Sequence, residues 1–97
     1  MEYIEINGEQ VPFRRSLNAM TKFDDKFKTE GVTTFTPTKF GPRHFVYLWY
    51  YFIEAGFKFE GETMPYNEEE IGDLITTEDI EKMAKMLEEN AEEEKKS

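Results

Sequence analysis

Few side chains in this 97-residue chain are equipped for catalysis. His44 is the single histidine, and it stands at the start of an aromatic segment where it reads as a surface or capping residue. Ser16 and Ser97 are the only serines, so a nucleophile–histidine pair has poor material. Cysteine is absent, which removes thiolate nucleophiles, disulfides and the ordinary zinc ligand sets. The six glycines are isolated, so no glycine-rich loop is present to cradle a phosphate. The stretch Asp73 to Asp79 lacks the alternating Asp and Gly spacing of a calcium loop. Carboxylates are abundant, and a general acid–base pair could be drawn from them. They fall in runs at helix starts and in the C-terminal tail, where solvated acid belongs. The reading is of a non-enzymatic protein without cofactor or metal.

The chemistry that is concentrated is aromatic. Aromatic residues make up 15% of the chain, and Phe45 to Ile53 is an unbroken apolar run. Tyr and Trp carry a large apolar body with one polar atom, which suits them to half-wet surfaces and to binding hot spots. Phe45, Tyr47, Trp49, Tyr50 and Tyr51 are therefore candidate protein-binding residues, joined by Phe35 and Phe40 of the preceding loop. The opposing reading is a helix buried on all sides by the elements around it.

The elements that must position these rings follow from local pattern. Glu2–Ile6 and Glu9–Arg14 alternate around Asn7-Gly8, the strongest short signal for a hairpin. A two-residue turn sets Ile4 opposite Val11 and gathers Ile4, Ile6, Val11 and Phe13 on one face. Pro12 cannot donate to a ladder, so its strand is an edge there. Ser16 caps a helix whose stripe is Leu17, Met20, Phe23 and Phe27, with Gly31 as its stop. Residues 32–41 hold four Thr, a Pro and a Gly and read as a loop, with Phe35 and Phe40 docked on the core or free for a partner. Pro42 opens the aromatic helix, expected over 42–55 and closed by Gly56. Asn67 with Glu70 forms a capping box for a short helix bearing Ile71, Leu74 and Ile75. Thr76 or Thr77 caps the last helix, with Ile80, Met83, Met86 and Leu87 on one side. The expected architecture is α+β: an N-terminal antiparallel hairpin on about four helices. It occupies 1–88, followed by a charged tail over 89–97, frayed or disordered.

Charge is lopsided. Residues 1–59 carry eight Lys/Arg against seven Asp/Glu, and residues 60–97 carry four against fourteen. Nucleic acid and anionic membranes repel the second half, whereas a basic protein surface suits it. The start Met1–Ile6 is unlike a secretory leader. The apolar run at Phe45–Ile53 is under half the roughly 20 residues of a membrane span. No nucleic-acid or membrane partner is expected.

The order of these elements resembles a known family. The hairpin Tyr3-Ile-Glu-Ile-Asn-Gly-Glu-Gln-Val-Pro-Phe13 leads into a helix with Leu17-Asn-Ala-Met20 and Phe23. An apolar helix ending Glu54-Ala-Gly-Phe57-Lys58 follows, then Asn67-Glu-Glu-Glu-Ile-Gly-Asp-Leu74 and an acidic helix. Over residues 2–88 this resembles the small tail assembly chaperones of long-tailed phages and prophages. The resemblance implies a cytoplasmic helper in a bacterial host that coats the tape measure protein until tail-tube subunits replace it. It also implies the short form of a frameshifted pair, and self-association into a homo-oligomer. The alternative is a small acidic binding module of a mobile element: an inhibitor, an antitoxin-like protein or an adaptor.

Overall fold

The computed structural model describes the backbone of residues 2–96 and the side chains of residues 2–89. Two strands, β1 (Glu2–Ile6) and β2 (Glu9–Phe13), precede four helices: α1 (Leu17–Phe27), α2 (Pro42–Phe59), α3 (Glu68–Leu74) and α4 (Thr77–Lys96). The fold is α+β, with an antiparallel hairpin in front of a four-helix cluster. The charged tail expected over 89–97 is helical as far as Lys96, its side chains from Asn90 onward and Ser97 lying outside the described residues.

The hairpin follows from its turn. Asn7 and Gly8 both take positive φ, 56° and 81°, the geometry that lets two residues reverse a right-twisted ladder. Ile4 pairs with Val11 and Ile6 with Glu9. Ile4, Ile6, Val11 and Phe13 are all buried, so one face enters the core. In such a hairpin the pair flanking the turn is hydrogen-bonded, and bonded pairs alternate from there. Pro12, opposite Tyr3, thus occupies a position whose N–H would point out of the ladder, so its missing donor costs no β1–β2 bond.

α2 crosses the outer edge of β2. The Arg14 N–H donates to the Phe52 carbonyl at 2.9 Å. At Gly56 the two backbones nearly touch: a Cβ there would lie 2.6 Å from the carbonyl carbon and oxygen of Pro12. Gly56 is therefore a notch inside α2 and not its end. The helix runs on to Phe59 and stops at Gly61, whose φ is 77°. The Gly61 N–H bonds to the Lys58 carbonyl and the Glu62 N–H to that of Phe57, the paired bonds of a left-handed helix cap. The expected boundary at Ala55 failed because glycine serves two purposes, and only tertiary contact tells them apart. Among the described residues, no backbone bond from another element reaches the outer edge of β1.

Local signals set the other helix ends. The Ser16 Oγ accepts from the Ala19 N–H at the start of α1. Asn67 and Glu70 exchange bonds at α3, as Thr76 and Asp79 do before α4. The Gly41 N–H donates to Nδ1 of His44 at 2.8 Å, so the single histidine braces the first turn of α2. One expected stripe residue departs: Leu17 is 79% exposed, and Ala19 takes its place in the core beside Phe23 and Phe27.

The core is a single cluster. Leu48, Trp49, Phe52 and Ile53 of α2 meet the hairpin face, Phe23 and Phe27 of α1, Ile71 of α3, and Met83, Met86 and Leu87 of α4. Trp49 and Phe13 pack edge to face with centroids 5.1 Å apart. The Trp49 indole N–H donates to the Asp79 carbonyl at 3.0 Å, tying α2 to the first turn of α4.

The two helical glycines make opposite predictions. Gly56→Ala should destabilise by about 2 kcal/mol, because backbone cannot yield and the overlap outweighs the helix-propensity gain of about 1 kcal/mol. Gly72→Ala meets only a Val46 methyl at 3.5 Å, an ordinary contact. It should stabilise by up to about 1 kcal/mol. Urea midpoints of the two variants check both signs.

Candidate functional site, the outer face of the aromatic helix

The eighteen residues of α2 divide by face. The inner face is Leu48, Trp49, Phe52 and Ile53, all fully enclosed. Phe45, Tyr47, Tyr50 and Tyr51 are half-buried. The period of 3.6 places Tyr47, Tyr50, Tyr51 and Glu54 on one side, since positions three and four apart are neighbours.

Trp49 is thus removed from the binding candidates: at 0% exposure it is a core residue, with its polar atom already satisfied. Phe45 and Phe40 pair edge to face at 5.1 Å, and Phe40 also packs on Phe23, so this part of the 32–41 loop docks. Phe35 stays 63% exposed, and among the described residues no aromatic ring pairs with it. It sits in a turn held by bonds between Thr33 and Thr36.

The tyrosines form a continuous ridge. Tyr47 and Tyr51 have centroids 6.3 Å apart, and Tyr50 and Tyr51 are 5.6 Å apart. The ridge has a polar rim. The Lys26 ammonium lies 4.5 Å above the Tyr47 ring, a cation–π distance. The Glu54 carboxylate accepts from the Lys22 ammonium at 2.9 Å and from the Tyr50 hydroxyl at 3.4 Å. Burial pushes the Tyr50 phenol up, and the negative fields of Glu54 and Glu68 add to this. Tyr51 is raised by burial first and then by Glu68.

Sequence reasoning missed the groove beside the ridge. Between α1 and the C-terminal half of α2 lies a hollow of about 420 Å³, reaching Arg14, Lys22, Tyr51, Ala55, Lys58 and Phe59. Phe59 is 61% exposed, with the Arg14 guanidinium 4.2 Å above its ring. A helix ending at Ala55 hid these residues; continuing its period from Tyr51 to Lys58 and Phe59 would have found them.

The class that this fold defines is an α+β protein built of a hairpin and four helices. Beyond that class, comparison with protein-family models, curated proteins and solved structures finds no match. No helix among the described residues is long and apolar enough to cross a membrane. Among the same residues, no group of three His, Cys, Asp or Glu is placed to hold a metal ion.

Two outcomes follow. Trp49→Phe should cost about 2–3 kcal/mol, from the space left and the lost bond that ties α2 to the Asp79 carbonyl, with the thermal midpoint as measurement. Tyr50 and Tyr51 should ionise later than free tyrosine, whose value is 10.0. The unfolded chain then releases these protons first, so their contribution is intact below pH 10 and is lost as pH rises beyond it. Phenolate absorbance titration of Tyr50→Phe and Tyr51→Phe, with stability measured alongside, checks the sign.

Proposed function

We propose that this chain is a non-enzymatic chaperone of phage tail assembly that binds the tape measure protein and yields it to tail-tube subunits in the cytoplasm of a bacterial host. The observation that carries the reading is the half-buried Tyr47–Tyr50–Tyr51 ridge. Its three rings are held in place by the core beneath them, yet each keeps part of its face open. Large rigid aromatics lose little conformational freedom on binding, so they supply contact area at low entropic cost. A holder of a long, aggregation-prone helical chain needs such a surface. It also needs an exterior that keeps the complex dissolved, and the net charge of −9 serves that end. The order of elements that resembles the tail assembly chaperones supplies the particular partner.

Co-expression tests it. With the neighbouring tape measure protein, the wild-type chain should raise the soluble fraction several-fold. Tyr47→Glu with Tyr50→Glu should remove that gain and weaken binding by more than about tenfold, with circular dichroism showing the helices retained and the thermal midpoint lowered but above the assay temperature. Equal solubility of the tape measure protein with and without the chain would overturn the reading and leave the inhibitor, antitoxin-like or adaptor alternative. A gene position between a tail-tube gene and a very long gene is the accompanying expectation.

A further inference from the structure

Net charge conceals a local reversal. The groove between α1 and α2 gathers Arg14, Lys22 and Lys58 against a single carboxylate, Glu54. Lys22 is bonded to Glu54, whereas Arg14 and Lys58 have no ion-pair partner among the described residues. Two small side chains, Ala19 and Ala55, are among its lining, one from each helix, and leave room between α1 and α2. Tyr51 and the exposed Phe59 supply apolar walls. Its volume of about 420 Å³ takes several side chains and exceeds any single inorganic ion. An amphipathic helix binds by laying its apolar face into a hydrophobic groove, and here cations at the rim add a preference for acid on its flanks.

We infer that this groove binds an acidic amphipathic helix of a partner protein. One apolar side chain of that helix seats on the Ala19–Ala55 floor between Tyr51 and Phe59. Carboxylates on the flanking turns meet Lys58 and the Arg14 guanidinium that stacks on Phe59, the two groove cations with no carboxylate partner among the described residues. Charge complementarity selects this occupant: a basic helix would face three cations, and nucleic acid would meet Glu54 and then the acidic second half of the chain. The inference rests on reading the chain as a protein-binding module and adds the chemistry of the partner segment.

The test is an amide NMR titration of the full chain with three synthetic helical peptides. One carries a leucine stripe flanked by glutamates, the second has lysine in place of every glutamate, and the third keeps the composition with the stripe scrambled. The first should shift the amides of Arg14–Lys22 and Tyr51–Phe59, and the other two should not. Arg14→Glu with Lys58→Glu should weaken the first peptide at least about tenfold and reverse the preference toward the lysine peptide. Both side chains are exposed, so the fold should persist, and the hydrogen bond from Arg14 to Phe52 uses only backbone. Absence of binding at about 1 mM peptide, equal binding of the lysine peptide, or an unchanged affinity in the double variant would each overturn the inference. Tyr47 and Tyr50 lie outside the groove lining. Tyr50 bonds to Glu54 of the groove, so Tyr47→Glu alone reports on the ridge, and with that variant failure of one site is separable from failure of the other.

Discussion

The helix and the hairpin can meet as they do only because position 56 has no side chain. Any Cβ would fall 2.6 Å from the Pro12 carbonyl, within the space that backbone itself occupies. That contact, with the bond from the Arg14 N–H to the Phe52 carbonyl, fixes how α2 lies against β2. The position of Trp49 follows, edge-on to Phe13 and bonded to Asp79. Once Trp49 points inward, helical geometry leaves Tyr47, Tyr50 and Tyr51 on the flank. The half-open tyrosine ridge is thus a consequence of packing on the opposite side of the same helix.

What could be read from the chain was what depends on neighbours in sequence. Asn7-Gly8, Ser16, and Asn67 with Glu70 act within four residues, and the hairpin register and the helix starts agree with them. The density of rings in 45–53 marked a helix packed into the core but could not divide its faces. Nine consecutive apolar residues carry no amphipathic period, and the division is made by what packs against them. Gly56 misled for a related reason. A glycine after an apolar run commonly ends a helix, whereas here it admits a crossing strand that is 43 or 44 positions earlier in the chain. The error removed Lys58 and Phe59 from view and the groove with them. Arg14 lies in the connection after β2, Lys22 on α1 and Lys58 on α2, so no sequence window could show them converging.

The two halves of the chain differ sharply in charge. Residues 60–97 bear most of the acid, and α4 buries Met83, Met86 and Leu87 while its charged faces meet water. Residues 1–59 hold the hairpin, the aromatic helix and every Lys and Arg outside α4. Side chains that meet across α1 and α2 belong to the near-neutral part, where contact with another chain is not opposed by long-range repulsion. Glu54 links the two surfaces, holding Lys22 at the groove and Tyr50 on the ridge.

The hairpin is sheltered on one side only. α2 lies across β2, and Pro12 offers no donor there, while β1 keeps its outer row of peptide groups unengaged by other elements among the described residues. A ribbon bare on both sides is a template that each added strand renews, and growth has no natural end. With one side occupied by a helix, a newcomer can align with β1 alone, and a second copy joined there would present its own helix-covered side outward. Polymerisation by strand addition therefore halts after one step.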